Sequence, residues 1–101
     1  MATRKIFAAL ADSTRLEVLG RLAESGPATA TELAASMPIS RQAVAKHLAA
    51  LDAAGLVERH RSGREVRYVF DPKPLDEVVE WVETVGDQWT RRLDRLRREL
   101  T

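Results

Sequence analysis

The sequence predicts a mainly α fold with one small β-hairpin, organised as a single domain over 1–101 and ending in a long helix. Three observations carry that expectation. A series of apolar-periodic segments is punctuated by capping residues, Gly and Pro; two short runs around Ser62-Gly63 switch to two-residue alternation; and residues 75–100 repeat apolar side chains at spacings of three and four. With 101 residues, 45% hydrophobic but only 5% aromatic, the chain has room for one modest core, filled by Leu, Val and Ala.

The elements follow in order. Ile6, Phe7 and Leu10 suggest a short N-terminal helix within 1–11. A helical core is expected over 12–57. Asp12 is placed to cap a helix carrying Leu16, Leu19, Leu22 and Ala23, which Gly26 and Pro27 terminate. Thr29-Ala30-Thr31-Glu32 has the spacing of a capping box, opening a helix that must stop before Pro38. Ser40 then caps a longer helix, Arg41 to Ala54, closed by Gly55. Two helices joined by the tight connection Met37-Pro38-Ile39-Ser40 give a helix-turn-helix over 30–54. The hairpin occupies 57–70, with Val66, Tyr68 and Phe70 on one face and the turn at Ser62-Gly63. A helix-turn-helix followed at once by a hairpin is the winged helix-turn-helix arrangement.

The last helix, 75–100, carries a seam of Leu75, Val78, Val82, Val85, Trp89, Leu93, Leu96 and Leu100, interrupted at Gly86. Residues 76–87 hold five acids and no base, whereas 91–98 hold five arginines and one acid. That order suits the helix dipole and makes an antiparallel pairing of two copies complementary. The expectation is a homodimer through Leu75, Val78, Val82, Val85, Trp89, Leu93 and Leu96, joined by Ile6, Phe7 and Leu10.

Composition narrows the chemistry. The formal net charge is only +1, but residues 58–67 hold four arginines against two glutamates. Base is thus concentrated at the hairpin, the pattern of a phosphate-tracking finger. Candidate wing contacts to DNA are Arg59, Arg61, Ser62, Gly63, Arg64 and Arg67, with His60 beside them. On the preceding helix Val44, His47, Leu48 and Leu51 form an inward stripe, with His47 read as a packed, hydrogen-bonded structural residue. Arg41, Gln42, Ala45, Lys46 and Ala49 lie elsewhere. Gln42 suits a bidentate adenine contact, Ala45 a thymine methyl, Arg41 or Lys46 a guanine or phosphate, and Ser40 a phosphate at the helix start. A solvated face would use the same residue types, and the adjoining basic hairpin is what favours the DNA reading.

The absence of cysteine excludes disulfides, thiolate metal sites and a Cys nucleophile, and it is compatible with a reducing compartment. No signal peptide or membrane span is read, so a cytoplasmic location is expected. No glycine-rich phosphate loop, nucleophile–base pair or cofactor motif is present, so neither catalysis nor a cofactor is expected. Trp81, Trp89 and Tyr68 are candidates either to line a pocket for a small-molecule effector or, more simply, to pack in the core or dimer.

Four segments carry a resemblance: Leu10-Ala11-Asp12-Ser13-Thr14-Arg15-Leu16, Ser40-Arg41-Gln42-Ala43-Val44-Ala45-Lys46-His47-Leu48, Leu51-Asp52-Ala53-Ala54-Gly55-Leu56-Val57 and Gly63-Arg64-Glu65-Val66-Arg67-Tyr68. In that order they resemble the ArsR-like (arsenical-resistance repressor) winged helix-turn-helix regulators. The resemblance implies a homodimeric, sequence-specific double-stranded DNA-binding transcriptional regulator, usually a repressor. Ser40 to Lys46 would enter the major groove of a pseudo-palindromic operator, and Asp12 and Arg15 would belong to the scaffold. Metal-sensing members use cysteines where this chain has Ala34 and Ser36, and its last helix has no histidine, so no metal site is expected. The alternative is a winged-helix interaction or dimerisation module that does not touch DNA.

Overall fold

The computed structural model describes residues 2–100; Met1 and Thr101, the ends of the expected 1–101 span, lie outside the described residues. The elements run α1 (Ala2–Leu10), α2 (Ser13–Ser25), β1 (Ala28–Thr29), α3 (Ala30–Ala35), α4 (Arg41–Ala53), β2 (Val57–Ser62), β3 (Glu65–Phe70) and α5 (Lys73–Leu100).

Local chemistry sets the helix ends. The Asp12 carboxylate accepts from the Arg15 N–H at 3.0 Å, and the Ser40 hydroxyl accepts from the Ala43 N–H at 3.1 Å. Thr29 and Glu32 form the reciprocal capping box of α3. α4 ends in a Schellman motif. Gly55, at φ 78°, donates to the Asp52 carbonyl, Leu56 donates to the Leu51 carbonyl, and the Leu56 side chain is buried. Gly55 is required there because a side chain at that φ would be strained.

The core is aliphatic, with Ile6, Val18, Leu22, Val44, Leu48, Leu51 and Leu56 at most 1% exposed. No charged or polar residue is buried among the described residues. In α2 the inward face is Val18, Leu19 and Leu22, whereas Leu16 is 51% exposed. Leu16 lies off the arc those three residues span at about 100° per residue, so it is not a core member as its spacing suggested.

The sheet has the order β1-β3-β2, all antiparallel. Its third strand was not expected from the sequence. Ala28 and Thr29 pair with Tyr68 and Arg67, which ties the start of the helix-turn-helix to the inner wing strand. The hairpin turn sits one residue later than Ser62-Gly63. Ser62 pairs with Glu65, leaving Gly63-Arg64 as the two-residue loop. Gly63 has φ 61°, and among the described residues no non-Gly residue, Arg64 included, has positive φ, which is the type II′ pattern.

α5 begins two residues before the expected Leu75. The Asp71 carboxylate accepts from the Lys73 N–H at 3.0 Å, and Pro74 falls in the first turn, where its missing N–H costs nothing. Leu75 and Val78 pack partly against the core, but no α5 residue is buried. The rest projects: the molecule extends 67 Å with a radius of gyration of 18.2 Å, against about 13 Å for a compact chain of this size.

Candidate nucleic-acid interface

One side of α4 is committed to the core through Val44, Leu48 and Leu51. The other leaves Arg41, Gln42, Ala45, Lys46 and Ala49 exposed. Small side chains at 45 and 49 keep that surface low enough for close backbone approach. Ser40 is exposed as well, its oxygen taken by the cap and its hydroxyl proton still able to meet an anion.

Arg59, Arg61, Ser62, Gly63 and Arg64 are exposed along β2 and the turn. Arg61 Nε donates to the Gly63 carbonyl at 3.3 Å, bracing the tip. His60 Nε2 lies 3.2 Å from Glu58 Oε2. Between wing and helix-turn-helix lies an open groove of about 570 Å³, whose walls include Arg41 and Ala45 from α4 and Arg64 and Arg67 from the wing. Residues separated by some twenty positions in sequence therefore share one face, the disposition needed to meet one duplex.

Arg67 stands apart from the other candidate wing contacts. It is half-buried, with Nη1 3.0 Å from Glu32 Oε1 and Nη2 3.4 Å from Glu65 Oε2. Glu32 in turn accepts from the Thr29 N–H at 2.9 Å. Its carboxyl is held below the usual glutamate range, first by Thr29's backbone and side chain and then by Arg67. In the sequence Glu32 reads only as a cap. Its partner is 35 residues away, and the two-residue strand that aligns them carries no periodic signal.

Other expected residues divide as follows. His47 is half-buried on the inner side of α4, but its Nδ1 has no hydrogen-bond partner, so the hydrogen bond expected for it is missing at that atom. Asp12 and Arg15 are engaged locally: the Asp12 carboxyl is held low chiefly by the Arg15 backbone N–H, and the Arg15 guanidinium donates to the Ala9 carbonyl at 3.3 Å. Trp81 and Tyr68 line two different clefts. Trp81 meets Phe7 edge-on at 5.6 Å in a cleft with Thr3 and Arg4, whereas Tyr68 faces the wing groove. Trp89 is 56% exposed beneath the Arg92 guanidinium.

Of the residues expected at a dimer surface, Ile6 is corrected. At 1% exposure it belongs to its own protomer's core. Leu10, Leu75 and Val78 also lean on that core. Phe7, Val82, Trp89, Leu93 and Leu96 are 42–56% exposed, and Val85 is half-buried. Among the described residues no three His, Cys, Asp or Glu side chains converge as a metal site would need, and no helix is long and apolar enough to cross a membrane.

Comparison with known proteins agrees with this geometry. A family model described as a helix-turn-helix domain matches residues 10–60. A helix-turn-helix-type transcriptional regulator of Bacillus subtilis (strain 168) is 40% identical over 85 residues, covering 77% of this chain and 92% of the relative. An ArsR-like transcriptional regulator from Rhodococcus sp. RHA1 superposes with a TM-score of 0.85 at 42% identity, covering 96% of this chain and 91% of the other. The solution structure of a homodimeric winged helix-turn-helix DNA-binding domain from Mycobacterium bovis superposes with a TM-score of 0.68 at 26% identity, covering 86% and 80%.

Proposed function

This chain belongs to the ArsR-like family of winged helix-turn-helix transcriptional regulators, and on that premise we propose that it is a sequence-specific repressor that binds double-stranded DNA as a homodimer. The observation that carries the reading is the single exposed face on which the outer side of α4 and the arginine-lined wing tip adjoin. The N-terminal half of α4 enters the major groove. There Gln42 meets adenine, Ala45 leaves room for a thymine methyl, and Arg41 and Lys46 meet guanine or phosphate. Ser40 faces a phosphate at the helix start, where unpaired N–H groups favour an anion. Arg59, Arg61 and Arg64 track the flanking backbone, supplying affinity more than base choice.

Dimerisation rests on α5. Val79, Val82, Trp89, Leu93, Leu96 and Leu100 are each 48–79% exposed along a helix that projects from its own domain. Such a stripe on a lone protomer is an association surface. The acidic first half and arginine-rich second half match each other only in antiparallel register. The Mycobacterium bovis domain is homodimeric with the same fold, which supports the assignment. Two copies of α4 then read half-sites about 34–36 Å apart, and a dimer seated there represses by occluding the promoter. Thiolate-based metal sensing has no role, since the chain contains no cysteine.

Selection of bound duplexes from a random pool tests the reading. The expected outcome is a pseudo-palindrome with half-site centres about 10 base pairs, or a multiple, apart. A pool that stays random after repeated selection refutes it and favours a winged-helix interaction module instead.

A further inference from the structure

We infer that Glu32 is a positioning residue: through Arg67 it latches the wing to the first helix of the helix-turn-helix, and it keeps the Arg67 charge from acting as a phosphate contact. The inference rests on the DNA-binding reading above and deepens it.

Three ties converge on one point. Thr29 and Arg67 are partners in the β1–β3 ladder. Glu32 Oε1 accepts both the Thr29 N–H at 2.9 Å and Arg67 Nη1 at 3.0 Å. Arg67 Nη2 faces Glu65 Oε2 at 3.4 Å, so the guanidinium stands between two carboxylates. Among the described residues, no ion pair engages Arg59, Arg61 or Arg64. The wing therefore carries two kinds of arginine. Arg59, Arg61 and Arg64 present charge that no ion pair engages, and Arg67 spends its charge on the scaffold.

Geometry explains why the latch matters. Arg67 lies three residues from Arg64, about 10 Å along the strand. A small rotation at the base is carried to the tip, where contacts require ångström placement. Glu32 sits in the first turn of α3 and shares its carboxylate with the capping box, so the wing is indexed to the same element that packs against α4. Were Arg67 to turn to a phosphate, Glu32 and Glu65 would be left unneutralised beside the DNA backbone, which like-charge repulsion opposes.

The test is equilibrium binding of the full chain to its selected duplex at several salt concentrations, for wild type, Arg64→Gln, Arg67→Gln, Glu32→Gln and the double variant Glu32→Gln/Arg67→Gln. Glutamine serves the third position of a capping box as glutamate does, so α3 is retained, and circular dichroism melts verify the fold. Arg64→Gln is expected to flatten the log–log salt slope by about 0.9, the loss of one phosphate contact. Arg67→Gln is expected to weaken binding about two- to five-fold, the span of an exposed charge pair, with its slope unchanged. The double variant is expected to bind no more weakly than Arg67→Gln alone. A slope flattened by Arg67→Gln as much as by Arg64→Gln overturns the latch, and so do losses that multiply in the double variant. A wild-type protein with no salt-dependent binding overturns the DNA reading itself, and the latch with it.

Discussion

Leu93 is the residue through which the dimer can be tested most sharply, because it serves no purpose within its own protomer. It lies on the projecting part of α5, 48% exposed and outside the aliphatic core, on the same stripe as Val82, Trp89 and Leu96. Covering the half that faces solvent contributes about 1 kcal/mol, half of what full burial of a leucine side chain is worth. Two copies meet in a two-fold dimer, so Leu93→Ala removes about 2–3 kcal/mol once the small cavity left behind is included. The dimer dissociation constant should therefore rise about 30- to 150-fold. Sedimentation equilibrium over a range of loading concentrations measures it directly. The isolated protomer should keep its core and its helix-turn-helix, because Leu93 touches neither. An association constant equal to wild type would refute the reasoning, since the exposed stripe would then have no self-partner.

Three further outcomes follow from the fold. Leu51→Ala, at a position with 0% exposure, should destabilise by about 2–5 kcal/mol and move the urea midpoint sharply down. Gly20 is exposed in the middle of α2, and a Cβ there meets nothing within 4 Å, so Gly20→Ala should add about 0.5–1 kcal/mol and raise Tm by several degrees. The carboxyls of Asp12 and Glu32 are both held below their ordinary ranges by the folded state, so their stabilisation is complete above the unfolded values and is lost as pH falls through the lowered ones. Tm should accordingly drop on acidification below about pH 4, and Asp12→Asn, which still caps α2, should make that drop shallower.

Most helix boundaries were legible because they are set by short-range chemistry. Asp12, Thr29 and Ser40 each satisfy a backbone donor within three residues, and Gly26 and Gly55 supply backbone angles that other residues resist. What escaped the sequence was decided by distant contacts. β1 exists because Ala28 and Thr29 find β3, not because two residues have a period. Ile6 looked like part of an external seam, yet it fills the protomer core while its neighbour Phe7 turns outward to Trp81. Arg67 looked like its neighbours on the wing, and only the register with Thr29 sets it beside Glu32. Composition and spacing identify which residues can bear charge to DNA; the partner each charge already has is a tertiary fact.

In the proposed complex α4 reads bases while the wing tip holds the backbone, and each role has its own signature. Affinities of wild type, Gln42→Ala and Arg64→Ala on the selected duplex and on a scrambled one at matched salt separate this division of labour from its alternatives. Gln42→Ala should lose about 1–3 kcal/mol on the selected duplex and almost nothing on the scrambled one, whereas Arg64→Ala should lose equally on both. Equal losses from Gln42→Ala on the two duplexes would contradict that division.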